Sequence, residues 1–464
     1  MKILITGASG FVGKHLLRNL LLDQHEVVTL TRDSQKIKDL GFPVEVYEWD
    51  PKKNDFPNES LKGIDAVINL MGENLSQKRW SESQKKKLQE SRILSTKKLV
   101  RALDENLSQP LKAFISVSAV GIYPVNSQTS IDESFKDFPE NFLSNLCQEW
   151  EKEALKLKKT ERLIIPRLGV VLGPGEGMLA RLNPIFRMGL GGTIGLGKQW
   201  MSWIHIEDLV HILTSALTDK RINGVINATS PNPVTNAHFT KAFSKALKLP
   251  ALFPVPPLMV KIAFGEMSTI ILDGQKIIPQ KLSELKFTFK FPTIEKALDD
   301  ICLNYSYEGK SFYRDEFVKF QYVKVPVEKL FPFFATPENL EKLTPDFLNF
   351  KILSSTDKNI KKGTEINYQL SLRGVPMKWK TLITDWQDNQ KFSDFQVKGP
   401  YRFWHHTHLF HPYKGGTLIE DRVVYRVPFG PLGEIVRPFI IKDIGKIFSF
   451  RKKTLDEMIS KKAL

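Results

Sequence analysis

Residues 2–13 read Lys2-Ile3-Leu4-Ile5-Thr6-Gly7-Ala8-Ser9-Gly10-Phe11-Val12-Gly13, and this stretch decides the fold. Three successive aliphatic side chains mark a strand buried on both faces, because a half-exposed strand would alternate apolar with polar. From 12 to 22 the apolar residues recur at helical spacing, so the glycines sit where a strand turns into a helix. Glycines there allow a tight turn and close backbone approach, while the helix N-terminus offers unpaired amides and a positive dipole end. That is the chemistry of a pyrophosphate cradle, and Gly7, Ser9, Gly10, Phe11, Val12 and Gly13 are its candidate contacts.

Working outward, apolar runs return at 27–30, 44–47, 66–70, 113–117 and 162–166, with helical patterns between most of them, as at 83–106. Near-continuous apolar strands separated by helices predict a doubly wound parallel α/β sheet covered on both faces. The second strand ends in Thr31-Arg32, where a site for NAD carries an acidic residue about 20 residues beyond the glycines. A guanidinium at Arg32 instead suits a 2′-phosphate, so NADP(H) is expected over NAD. Asp33 is the alternative ribose ligand and would reverse that preference.

The chain has 464 residues, too many for one core of ordinary size, so two domains are expected. With 42% hydrophobic and 25% charged residues, it fits neither disorder nor a membrane bundle, and no apolar run approaches a bilayer span. The opening strand is not a secretory leader, and two cysteines, Cys147 and Cys302, cannot build a disulfide framework. A cytoplasmic protein is the expectation. The net charge of +16 is spread over both halves without a basic run interleaved with aromatics, so no nucleic-acid partner is expected. Oligomeric state is not legible.

From about 310 the texture changes. Strand-like runs at 317–325, 365–372, 377–385, 392–397, 401–411 and 417–427 are separated by turn signals such as Lys362-Gly363, Gly399-Pro400 and Gly415-Gly416. A short helix is expected at 326–335, and a long amphipathic one after Pro438, where Ile440, Ile441, Ile444, Ile447, Phe448, Leu455, Met458 and Ile459 recur at helical spacing. An antiparallel sheet with a long C-terminal helix is a separate α+β domain.

Segments through the first part resemble the epimerase-family, atypical members of the extended short-chain dehydrogenases/reductases over residues 1–305. They are Ile68-Asn-Leu-Met-Gly-Glu-Asn74, Lys78-Arg-Trp80, Ser91-Arg-Ile93, Ser118-Ala-Val-Gly121, the run from Arg167 to Pro174, the run from Gly197 to His205 with Asp208, and Leu272-Asp-Gly-Gln275. The resemblance implies a Rossmann domain with a substrate lobe at about 175–305. It implies that Leu70 and Gly72 pass beside the cofactor and that the chain approaches nicotinamide and substrate from Arg167 onward; Asp50 joins the cofactor set.

Chemistry in that superfamily uses a Tyr with a Lys four residues later, the Lys lowering the phenol's pKa so that it exchanges a proton as hydride moves. None of the ten tyrosines here has Lys at that spacing. Where the pair belongs, Phe142-Leu-Ser-Asn-Leu-Cys-Gln-Glu-Trp-Glu151 is similar to the family's own Cys/Trp variant, with Cys147 and Glu151 at the two positions. The candidate catalytic set is therefore Ser118, Tyr123, Cys147, Glu151 and His205. Each but Ser118 also has a plain reading: Cys147 a small core residue, Glu151 a solvated helix face, Tyr123 a packed aromatic, and His205 a structural hydrogen bonder.

Residues 312–464 resemble the START/Bet v 1-like helix-grip superfamily, also described as polyketide-cyclase-like. The carrying segments are Val325-Pro-Val-Glu-Lys-Leu-Phe331, Pro337-Glu-Asn-Leu340, Thr344-Pro345, Gly399-Pro-Tyr-Arg-Phe-Trp-His405 and Gly415-Gly-Thr417 ahead of Asp421. That fold implies an apolar cavity between sheet and helix for a lipophilic ligand, lined or packed by Trp379, Trp386 and Trp404. His405, His406, His408 and His411 are read as cavity or surface imidazoles, with no metal. Alternation puts His406 and His408 on one strand face and the other two opposite, and no Cys or acidic partner is close in sequence. Two functions stay open: an NADP(H)-dependent oxidoreductase or isomerase acting on a small or lipophilic substrate, and a non-catalytic NADP(H) sensor or hydrophobic-ligand carrier.

Overall fold

A computed structural model describes residues 1–126, 129–303, 306–307, 310–311, 314–372, 374–428 and 430–461. The chain divides into two compact units, Met1–Ile37 with Val44–Asn304, and Lys38–Pro43 with Tyr305–Leu464.

The first unit is built on parallel strands β1 (Lys2–Thr6), β2 (Glu26–Thr31), β3 (Glu45–Glu48), β4 (Ala66–Asn69), β5 (Ala113–Ser116), β6 (Leu163–Leu168) and β7 (Gly224–Ala228), ordered β7-β6-β5-β4-β1-β2-β3. Ile3, Leu4 and Ile5 are all fully buried, as a strand covered on both faces requires. Leu4, Val28, Val67 and Phe114 on one face pack against Leu99, Val100 and Leu103 of α2 (Ser95–Asn106). Helix α1 (Phe11–Leu22) buries Leu16, Leu17, Leu20 and Leu21 and packs on α4 (Ile206–Thr218), while α2 packs on α3 (Phe142–Ala154). Strand order reverses between β1 and β4, the switch point at which open α/β sheets bind ligands. Strand β7, Gly-Val-Ile-Asn-Ala, was not among the expected strands; five residues opening on glycine carry little periodic signal.

The second unit is one antiparallel sheet of β8 (Asp315–Val323), β9 (Lys351–Ser355), β10 (Glu365–Leu372), β11 (Val375–Gln387), β12 (Lys391–Lys398), β13 (Phe403–Tyr413) and β14 (Gly416–Arg426), ordered β8-β14-β13-β12-β11-β10-β9, with helix α5 (Gly430–Ser460). This is the helix-grip arrangement. Ile444, Phe448 and Leu455 of α5 are buried, Ile444 and Phe448 against Val423 and Tyr425, and Leu455 in a cluster with Phe410 and Ile419. The helix starts at Gly430, eight residues before Pro438, which was expected to precede it and instead lies inside it. Proline removes one helical hydrogen bond, and packing further along α5 outweighs that local cost. Edge strand β9 was missed because Lys-Ile-Leu-Ser-Ser is mostly exposed and does not alternate. No helix among the described residues is long and apolar enough to cross a membrane.

Candidate functional site

The glycine turn closes at the switch point. Gly7 has φ +72°, and a Cβ there would lie 2.7 Å from the Leu70 carbonyl oxygen, so the turn runs directly against the residue that follows β4. A Cβ on Gly13 would come within 2.4 Å of the Gly7 oxygen and 2.6 Å of Ala8 Cα, which is why α1 packs onto the turn only through a glycine. Gly10 differs: it is exposed, donates its N–H to the Gly7 carbonyl at 3.0 Å, and faces outward. Helix α1 begins at Phe11 with no side-chain cap among the described residues, leaving its first amides for an outside acceptor. Ser9, Phe11 and Val12 are half-buried around this cradle, which fits a pyrophosphate.

Arg32, at the end of β2, is exposed, with Glu73 Oε2 3.8 Å from its guanidinium. Asp33 is already engaged: its Oδ1 accepts the N–H groups of Gln35 and Lys36 at 3.1 and 3.4 Å, opening the short helix Ser34–Lys38. Asp50 likewise accepts the Lys52 N–H at 3.0 Å within the turn after β3. Gly72 is exposed, backed by Arg92, whose guanidinium donates to the Glu73 carbonyl at 2.9 Å and lies over the Trp150 ring. Burial pulls Arg92 down to about 10. Leu70, Gly72, Arg32 and the glycine turn therefore gather along one sheet edge.

Cys147 and Glu151 stand one turn apart on α3. The Cys147 thiol is buried, with Ser118 and Ala119 beside it. Burial, then the Glu151 charge, push it up to about 11 against the opposing pull of Arg92, so at neutral pH it is a thiol. Glu151 is not on a solvated helix face. It is 8% exposed, and Arg167 Nε and Nη2 grip its two oxygens at 2.9 and 2.8 Å. Arg167 Nη1 donates to the Tyr123 hydroxyl at 2.8 Å, and that hydroxyl donates to Asn227 Oδ1 at 2.8 Å. Asn227 in turn donates its side-chain amide to the Ile278 carbonyl and its backbone N–H to Glu133.

Burial works against the Arg167 charge, but Glu151 and Tyr123 hold its pKa above the ordinary value; burial raises that of the fully enclosed Tyr123. Three expected site residues, Tyr123, Glu151 and Arg167, thus converge in one buried hydrogen-bonded network, with Cys147 and Ser118 beside it. The Arg167 guanidinium, expected near the cofactor, is spent inside the protein because a buried carboxylate and a buried cation need each other. Asn227 and Glu133 complete this region and escaped sequence reasoning, since no motif surrounds them; Arg92 lies in the Ser91-Arg-Ile93 segment but is assigned no role there. His205 lies apart. Its Nδ1 accepts the Glu207 N–H, capping α4, its ring packs on Phe291, and Nε2 is 3.5 Å from Asp300.

The second unit encloses a cavity of about 180 Å³ between the inner sheet face and α5, walled by Tyr368, Trp379, Phe392, Trp404, Ile444 and Phe448. Trp386 packs on Phe331 and Phe392 instead of lining it. One wall is polar. Asp394 pairs across β12–β13 with His406, and His408 pairs across β13–β14 with Asp421, so acidic partners absent from the sequence neighbourhood of the histidines arrive through strand pairing. Burial, then His408, lower His406 to about 4; burial also opposes charge on His408, but Asp421 and Asp394 overcome it and raise its pKa.

Comparison with known proteins follows the same division. Residues 3–228 match the NAD dependent epimerase/dehydratase family, 255–301 a domain of unknown function (DUF1731), and 323–448 the polyketide cyclase / dehydrase and lipid transport family. The chloroplastic epimerase family protein SDR39U1 homolog of Arabidopsis thaliana is 38% identical over 307 residues, covering 64% of this chain and 86% of that protein. Human epimerase family protein SDR39U1 is 35% identical over 304 residues, covering 65% and 99%. A crystal structure of human SDR39U1 (isoform 2) with NADPH superposes with a TM-score of 0.59 at 35% identity, covering 66% of this chain and 100% of that one. With its glycine turn at the switch point of the first unit and a helix-grip fold in the second, this chain belongs to the epimerase family of atypical short-chain dehydrogenases/reductases, extended by a polyketide-cyclase-like domain.

Proposed function

We propose that the first unit binds NADP(H) and that the protein works as an NADP(H)-responsive carrier of an apolar ligand, not as a reductase of the Tyr/Lys kind. The observation that carries this reading is the Glu151–Arg167 bridge beside the neutral Cys147 thiol, where the superfamily keeps its proton-exchanging pair. A carboxylate locked at both oxygens takes the place of the cation that lowers the proton donor's pKa, and the thiol beside it is pushed up to about 11, away from the range in which it would exchange a proton readily.

The amides at the start of α1 would hold the pyrophosphate, and Arg32 the 2′-phosphate, since Asp33 is committed to its own helix. The binding of NADPH by the human relative supports that choice. Bound NADPH supplies a hydride. Gly7 and Gly13 let the turn and α1 pack closely, and the buried network ties Arg167 of β6 to Asn227 of β7 through Tyr123. In the second unit, about 180 Å³ is close to the roughly 150 Å³ of an engineered apolar cavity that holds benzene, so a compact ring-sized ligand fits better than a long acyl chain.

The test compares NADPH with NADH on the full chain. NADPH should raise the melting temperature and quench tryptophan fluorescence more than NADH does. Arg32→Ala should weaken NADPH roughly ten- to hundredfold, the loss of a charge-assisted contact of about 1.5–3 kcal/mol, and leave NADH unchanged. Equal responses to both dinucleotides would overturn the Arg32 assignment. NADPH oxidation above background across a carbonyl panel would return the protein to the oxidoreductases.

A further inference from the structure

Asp394, His406 and His408 present one ligand atom each, all within 4.8 Å of one another, on the polar wall of the cavity. His406 Nδ1 is 3.4 Å and His408 Nε2 3.7 Å from the same Asp394 oxygen, Oδ2. Ligands at 2.0–2.1 Å from a tetrahedral ion lie about 3.3 Å apart, so small side-chain movements bring this trio into range. Register dictates the grouping: Asp394 and His406 are cross-strand partners, and His408 lies two residues on, on the same face.

The opposite ring nitrogens are equally organised. His406 Nε2 and His408 Nδ1 lie 3.0 and 2.7 Å from one oxygen of Asp421, which Arg451 Nη1 also reaches at 3.1 Å. A carboxylate on the far nitrogen of each imidazole is the arrangement that fixes the tautomer of metal-binding histidines. With its Nε2–H bonded to Asp421, His406 turns its Nδ1 lone pair toward the Asp394 carboxylate, and acceptors facing one another need a positive charge between them. The two rings are only 3.9 Å apart, which disfavours protonating both. Two carboxylates, Asp394 and Asp421, face this pair of rings against the single guanidinium of Arg451, an acidic balance that favours a bound cation.

We propose that Asp394, His406 and His408 form a binding site for a divalent first-row transition-metal ion, with Asp421 as the positioning carboxylate behind both imidazoles. Two nitrogens and one carboxylate oxygen suit zinc, cobalt or ferrous iron; magnesium and calcium prefer all-oxygen sets. Three protein ligands leave a coordination position facing the cavity, where an oxygen of an otherwise apolar ligand would bind beside Trp379 and Phe392. This site is independent of the dinucleotide reading, and failure of either leaves the other standing.

The experiment strips the tag-free full chain with a chelator and titrates it with Co2+, reading visible absorption. A saturable spectrum distinct from that of aqueous cobalt, with one ion bound per chain and displaced by Zn2+, is expected. Asp394→Asn and His406→Gln should abolish it while far-ultraviolet circular dichroism stays unchanged, and Asp421→Asn should weaken binding roughly 10- to 100-fold. Unaltered cobalt binding in a folded Asp394→Asn protein overturns the proposal. Should that variant not fold, the unmodified chain decides alone: a cobalt spectrum identical to that of the aqueous ion sinks the site.

Discussion

The Glu151–Arg167 bridge gives the sharpest prediction. Glu151→Gln preserves shape and one accepting oxygen but removes the charge, leaving a guanidinium that is 2% exposed without its counter-ion. Breaking a buried pair from one side costs about 3–5 kcal/mol, because an uncompensated charge stays behind. The unit that contains it has roughly 300 residues, and an unfolding entropy of about 2.1 cal/mol/K per residue converts each kcal/mol to about 1.6 °C. Calorimetry should therefore show the transition of this unit lowered by about 5–8 °C. The double variant Glu151→Gln/Arg167→Gln should fall short of the summed single losses by about 2–3 kcal/mol, since no orphaned charge remains. A melting temperature within about 1 °C of the unmodified protein in Glu151→Gln would refute the reasoning and return Glu151 to the solvent.

Cys147 makes a pH prediction. Its thiol ionises near 9.0 when exposed and near 11 when folded. The folded pKa is the higher one, so its contribution is intact below pH 9.0 and is lost as pH rises toward 11, by about 2–3 kcal/mol. Urea melts across that window should show the decline, and Cys147→Ala should flatten it; an identical slope in the variant removes Cys147 as the cause. In the second unit, Ile383→Trp adds a bulky ring to the cavity wall and should abolish binding of a small fluorescent apolar probe while the NADPH response persists. Retained probe binding would locate the apolar site elsewhere.

Much of the architecture could be read directly. The aliphatic runs, the helical repeats and the glycine turn are local patterns, and local patterns survive in a one-dimensional string because backbone period and side-chain polarity are properties of neighbouring residues. Where periodicity is thin, the reading failed. The five-residue Gly224–Ala228 and the exposed edge strand Lys351–Ser355 carry no repeat long enough to stand out, and Pro438 sits within a helix that packing holds together.

By itself, the sequence determined a doubly wound parallel sheet with a glycine turn after its first strand, an antiparallel sheet with a long C-terminal helix, and the absence of the Tyr/Lys pair. Tertiary structure alone decided what replaced that pair and what surrounds the histidines. Glu151 looks like a surface residue until β6 brings Arg167 to it, and His406 and His408 lack acidic company until neighbouring strands align Asp394 and Asp421 with them. Charge partners are chosen by strand order and register, which arise from the packing of the whole chain, and a linear pattern records a side chain's own polarity without recording who will stand opposite it.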